Sequence, residues 1–247
     1  RMGHIQRFRR YMDDLQRYLD EYERRKAEAK EEKKPFDEEI DDQKQPMVDL
    51  LDGKLTAFIY CDRATDVPAA IRIQQEHKLK AVLVLSAECY KAADLIAAST
   101  LPVVLPPDLV IWETDEMTQE EQMVVLPAIF DKAGVHFAFQ TDTSDYGSRY
   151  LWYQAATAVK YGMKRAEALK SITLYPAQFM GVEDRFGSVQ PGKEATLLFL
   201  TGDPLDVQTW VDKVMIAGEI VYERDKDKRL KELLEEPQVP QQPQDTD

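Results

Sequence analysis

Short apolar runs alternate with helical stretches through the middle of this chain, and that alternation is its strongest signal. TAFIYC (56–61), KAVLVL (80–85), PVVLPP (102–107) and VHFAFQTD (135–142) are almost wholly apolar. Runs of that length suit strands buried on both faces of a parallel sheet. Between them VPAAIRIQQEH (67–77), CYKAADLIAAS (89–99) and EEQMVVLPAIFDKA (120–133) predict helices, and YLWYQAATAVKYG (150–162) predicts another. Such a βαβαβαβ order belongs to a doubly wound sheet or to a (β/α) barrel. Four units are visible, where a closed barrel needs about eight.

The two ends have a different texture. Ile5, Phe8, Met12, Leu15, Leu19 and Tyr22 recur at three- and four-residue steps, with Tyr11 and Tyr18 widening the stripe. Residues 2–30 therefore predict one amphipathic helix. The stripe is short for a coiled-coil seam with a partner chain, which favours docking on its own domain. The segment 24–45, RRKAEAKEEKKPFDEEIDDQKQ, is nearly pure charge and reads as a solvated helix end and an exposed linker. Residues 164–180 predict a further helix or helix pair. After them come strand-and-turn patterns, FGSVQPGKEATLLFL (186–200) and VDKVMIAGEIVYE (211–223), with turns at Pro191-Gly192 and Ala217-Gly218. The Pro/Gln-rich end, EEPQVPQQPQDTD, predicts disorder. The expected division is a helix and charged linker (1–45), an α/β part (46–185), β strands (186–224), and a helix end with a tail (225–247).

Charge and composition narrow the partners. The formal net charge is −13, from 45 acidic and 32 basic residues, which argues against nucleic acid or an anionic membrane as partner. No run of apolar residues is long enough to span a membrane, and RMGHIQRFRR has no signal-peptide core. The pattern leaves the compartment open: a soluble protein, cytoplasmic or exported to a periplasm or envelope. Cys61 and Cys89 lack CxxC or Cys/His spacing, so a disulfide framework and a structural zinc site are not expected, while a single bridge stays open. An initial arginine suggests a processed or partial product.

Four marks in order carry a resemblance: the ALKSITLYPA helix, GVEDRFGSVQPGKEATLLFL, GDPLD, and the closing VMIAGEIVYE. The segment 167–224 that contains them resembles the C-terminal end of amidohydrolase-superfamily proteins, most closely the imidazolonepropionase-like branch. Upstream, residues 57–94 look like the fifth and sixth βα units of the same barrel, so the resemblance covers about residues 54–224. It implies an α/β fold: the C-terminal half of a distorted (β/α)8 TIM-type barrel, then strands of a small β-sandwich, preceded here by the N-terminal amphipathic helix. It also implies a site at the C-terminal ends of the strands. The barrel's first half, with its His-x-His pair, is absent from these residues, so the expected partner is that half, as a separate chain or a removed segment, in a homo- or hetero-oligomer.

In active members of the superfamily, histidines at strands one, five and six and an aspartate at strand eight hold metal ions. Neutral imidazoles leave a position open for water, whose pKa the metal lowers. Here the strand-five position falls at Tyr60, the strand-six position near Leu85 or Ser86, and only the strand-eight position keeps its type, as Asp142. His4, His77 and His136 lie at other places along the chain. One carboxylate without an imidazole does not suit a transition metal. No cofactor is therefore expected, unless the missing half supplies histidines for a divalent metal such as zinc.

Asp142 is the candidate catalytic residue, and Tyr60, Asp62, Arg63, Ser86, Thr143 and Ser144 are candidates for a ligand pocket. Each has a plainer reading. Asp62 and Arg63 suit a local ion pair or helix cap, Thr143, Ser144 and Asp145 a polar loop, and Cys61 a buried structural thiol. Pro106-Pro107 would shape the rim, and Trp112 a pocket or an interface. The leading expectation is an amidohydrolase-like protein with a degenerate metal site, acting as a binding or structural component. The alternatives are a metal-dependent hydrolase of C–N bonds whose ligands come mainly from the other half, and an interaction subunit docking through its N-terminal helix.

Overall fold

A computed structural model describes residues 2–115, 117–142 and 149–234. Thr143, Ser144 and Asp145, the side chain of His4 and the Pro/Gln-rich end lie outside the described residues. The described residues form two compact units, one of those up to residue 57 with 76–80, the other of 58–75 with those from 81 on.

The first unit is built on α1 (Met2–Glu31) and α2 (Gln45–Leu51). The apolar stripe of α1 does what its spacing predicts: Met12 and Leu15 are buried, and Phe8 meets the His77 ring edge-on at 5.7 Å. The charged stretch after α1 is pinned more closely than its composition suggests. The Tyr18 hydroxyl accepts from Asp41 N at 3.0 Å, and the Tyr22 hydroxyl donates to Glu38 O at 3.0 Å. Phe36 packs edge-on against Tyr22 at 5.4 Å, and Arg25 pairs with Glu38 at 2.8 Å. Two tyrosines and a phenylalanine thus fasten a segment that charge counting alone reads as free.

Apart from Ala57 and residues 76–80, the second unit continues with β1 (Ala57–Cys61), α3 (Val67–His77), β2 (Ala81–Leu85), α4 (Ala93–Ser99), β3 (Val103–Leu105), β4 (Val110–Thr114), β5 (Glu121–Val125), α5 (Leu126–Lys132) and β6 (Phe137–Phe139). Helices α6 (Leu151–Lys160), α7 (Arg165–Ile172) and α8 (Leu174–Met180) follow. Last come β7 (Leu197–Leu200), β8 (Val211–Ile216), β9 (Glu219–Glu223) and α9 (Lys228–Leu234). The four apolar runs form one sheet in the order β1-β2-β3-β6, and the β2–β3 and β3–β6 pairs are parallel. The fold is mixed α/β, and among the described residues this sheet is open, with β1 and β6 at its edges.

Register sorts the sheet's side chains into two faces. Leu83, Val103 and Phe137 lie in one row, Leu105 and Phe139 in the next, and all are buried. Ala70 and Ile71 of α3, Ile96 of α4 and Phe130 of α5 are buried as well. Burial of this kind is worth about 1.5–3 kcal/mol per large side chain. On the opposite face Val82 and Ala138 cluster with Tyr175 and Phe179 of α8, and Val104 packs against them. That cover stops short of β1, where Phe58 and Tyr60 are 51% and 65% exposed.

One predicted helix is wrong in its first half. EQMVV folds as β5 and pairs antiparallel with β4, Trp112 opposite Met123 and Ile111 opposite Val124; only LPAIFDK is helical. Pro127 sits in the first turn of α5, where its missing N–H costs nothing, and so marks where the helix begins. The last three strands form an antiparallel sheet in the order β7-β8-β9. Positive φ at Ala217 (49°) and Gly218 (86°) gives the β8–β9 hairpin its turn, as the Ala-Gly pair predicts.

Candidate functional site

The parallel strands end together, and the candidate residues sit at those ends. Ser86 N donates to Cys61 O at 3.0 Å, which sets Cys61 beside Leu85 and therefore Tyr60 beside Val84. With Val84 opposite Val104 and Val104 opposite Ala138, one row crosses the sheet from Tyr60 to β6. Asp142 follows β6 by three residues, is exposed, and has the sequence parity of Ala138. Tyr60, Ser86 and Asp142 thus lie at the C-terminal edge of one sheet.

Their local bonds are specific. The Ser86 hydroxyl donates to Asp62 O at 2.6 Å, so it staples the end of β2 to the segment leaving β1. The Cys89 thiol donates to Cys61 O at 3.2 Å, just below that staple. Both cysteines are free and fully buried. Burial pushes the Cys61 thiol up to about 12, helped by the nearby Cys89 and Asp66, and burial raises Cys89 as well. Capping falls to Asp66, whose carboxylate accepts from Arg63 N at 3.0 Å at the start of the 3₁₀ turn Ala64–Asp66. Asp62 and Arg63 are exposed at the same edge.

Two further features of this edge escaped the sequence reading. The first is the β4–β5 hairpin, which rises between β3 and α5. It is anchored by Glu113, which accepts from the Tyr90 hydroxyl at 2.6 Å and pairs with Lys91 at 3.1 Å. The Tyr90 hydroxyl bond, then Lys91, hold the Glu113 carboxyl below its ordinary range. Burial and the Glu113 bond push Tyr90 up to about 12. The second is a groove of about 570 Å³ lined by Pro107, Asp108, Tyr153, Gln154, Thr157 and Tyr161. Gln154 is buried and donates to Pro107 O at 2.8 Å, fixing one wall of this groove. The sequence signals for it were the Pro106-Pro107 pair and a polar residue, Gln154, inside a largely apolar helical run.

These donors do not fit a zinc-like ion. Tyr60 offers a phenol, Ser86 a hydroxyl already donated to Asp62 O, and Asp142 a carboxylate. Borderline metals prefer imidazole and thiolate, and Tyr60, Ser86 and Asp142 offer neither. Among the described residues no group of three or more histidine, cysteine, aspartate or glutamate side chains is placed to hold a metal. His136 stands at the other end of β6, stacked on Tyr175 at 4.7 Å. No helix among the described residues is long and apolar enough to cross a membrane.

Comparison with known proteins places the mixed α/β fold among amidohydrolases. The chain is similar to a crystal structure of an amidohydrolase from Thermotoga maritima, with 33% identity and a TM-score of 0.73 over 91% of this chain and 57% of that one. It is 27% identical over 116 residues to the amidohydrolase tasK of Hapsidospora irregularis, a match to 43% of this chain and 12% of that protein. An adenosine deaminase from Xanthomonas campestris, solved with bound zinc, is similar at 19% identity and a TM-score of 0.46, over 71% of this chain and 47% of that one. The chain thus spans just over half of the Thermotoga protein and a small part of the Hapsidospora one. A sequence model of the amidohydrolase family matches residues 35–221, and the chain belongs to that family.

Proposed function

We propose that this chain is an amidohydrolase-like component of the imidazolonepropionase-like branch whose metal site has degenerated. In this reading it binds a ligand or supports an assembly and does not itself catalyse hydrolysis. The observation that carries it is the donor set at the strand ends: Tyr60, and Leu85 or Ser86, stand where the resemblance expects histidines, and Asp142 alone keeps its type. A carboxylate without a metal-bound water has no hydroxide to direct at a carbonyl.

The parallel sheet is read as half of a (β/α)8 barrel, completed by a further polypeptide segment that supplies the remaining units. The exposed Phe58 and Tyr60 on the uncovered face of β1, and the edge positions of β1 and β6, support this. An open parallel sheet leaves unpaired backbone groups along its edges that a neighbouring strand would satisfy. The test is the response of the intact assembly to zinc. The reading expects no thermal stabilisation and no hydrolysis of amide or cyclic amide substrates. A Tm that rises with zinc concentration, as binding to the native state alone requires, refutes it.

The place of Asp142 favours a second reading. A retained carboxylate at the end of the last parallel strand suits a general base in a hydrolase of C–N bonds whose metal ligands lie on the completing segment. Asp142→Asn in an active assembly should then abolish turnover. Unchanged turnover rejects that reading.

A further inference from the structure

The outer face of the β4–β5 hairpin joins exposed apolar side chains to concentrated negative charge. Trp112 and Met123 stand opposite each other in register, 65% and 42% exposed, and Met117 in the connecting turn is 94% exposed. Alternation puts Glu121 on the same face, paired with Thr114, and Asp115 and Glu120 are exposed beside it. No lysine or arginine occurs between Lys91 and Lys132. On the inner side, Glu113 is fixed by Tyr90 and Lys91, which makes the hairpin an anchored platform.

The first turns of α1 carry the complementary chemistry. Residues 2–12 hold Arg7, Arg9 and Arg10 and no carboxylate, the densest such run in the chain. Arg9 is paired with Glu76 at 3.2 Å. Arg7, Arg10 and Tyr11 are exposed, and their spacing puts them on one side of the helix. A guanidinium stacks on an indole face while its N–H groups reach neighbouring carboxylates, so a tryptophan flanked by glutamates is a surface suited to it.

We infer that the β4–β5 hairpin of one copy docks the amino-terminal end of α1 of a second copy, with Arg7 or Arg10 against Trp112 and Glu121. Charge complementarity selects that occupant: a chain of net charge −13 carries its densest carboxylate-free arginine cluster on α1 and a long run without any basic residue around the hairpin. The contact is heterologous, since one surface meets a different one.

A charge swap tests it. Sedimentation velocity follows the full chain over a concentration series in about 50 and about 500 mM NaCl, with dissociation about tenfold or more easier at the higher salt if exposed charges hold the contact. Glu120→Lys with Glu121→Lys, and Arg7→Glu with Arg10→Glu, should each leave a monomer. Mixed in equal amounts, the two variants should re-form a one-to-one complex, because reversed hairpin then meets reversed helix. Trp112→Ala should weaken wild-type association about tenfold or more. Circular dichroism checks that each variant is folded, as substitution of exposed side chains predicts. A wild-type chain that stays monomeric, association that persists in either double variant, or a mixture that does not associate overturns the proposal.

Discussion

Gly187 offers the sharpest test of the packing beneath the family motif, because its two penalties can be separated. Its φ is 87°, a region that costs a residue with a side chain about 1–2 kcal/mol. A Cβ built there would lie 2.7 Å from Ala177 Cβ, 3.0 Å from Thr173 O and 3.1 Å from Leu174 Cα. Ala177 is buried in α8, so relief requires the helix to shift, an overpacking cost of about 1–3 kcal/mol. Gly187→Ala should therefore destabilise by about 2–5 kcal/mol. Gly192→Ala is the control: φ is 91° and nothing lies within 4 Å of the built Cβ, so only the backbone cost of about 1–2 kcal/mol applies. The unfolded-state entropy removed by alanine is common to both and cancels in the comparison. Urea unfolding followed by circular dichroism, with linear extrapolation, measures each. Equal losses for the two variants would refute the close approach of the FGSVQPG turn to α8.

Tyr175→Phe removes the bond from the Tyr175 hydroxyl to Glu167, 2.5 Å long, and should cost about 1.5–3 kcal/mol because the acceptor is charged. Lys170 and then Tyr175 hold the Glu167 carboxyl below its ordinary value of 4.5. A depressed folded value contributes stability that is complete above 4.5 and is lost as pH falls through the lower folded value. The acid-side fall in Tm should therefore be shallower in Tyr175→Phe, and an unchanged profile contradicts the pairing. Tyr90 and Tyr175 should ionise only near pH 12 in an absorbance titration of the folded protein, since burial and a carboxylate partner raise both. Cys61 and Cys89 should resist a thiol reagent in the native state and react once unfolded, as full burial and raised thiol values require. Rapid native-state reaction of two thiols would show that the staple at Ser86 opens.

The strands were legible because burial on both faces writes itself as an uninterrupted apolar run: AVLVL and FAF need no partner information to be read. The hairpin was not legible for the opposite reason. β4 and β5 mix Ile111 and Val124 with Glu113 and Gln122, and the apolar residues of β5 lead directly into those of α5, so one helical period covers both. The charged segment after α1 misled because its anchors, Tyr18 and Tyr22, lie on the helix, some twenty residues from the backbone groups they bind. At the site, strand ends were predictable from periodicity, whereas the role of Asp142 rests on resemblance alone. What Ser86 does with its hydroxyl depends on a carbonyl 24 residues away, which no local pattern encodes.

The central claim concerns the metal. Elemental analysis of the intact assembly, purified without chelator, compares wild type with Asp142→Asn. The account predicts zinc and iron well below one per chain in both, with no difference between them. One zinc or iron per chain, lost on substitution of Asp142, would contradict it.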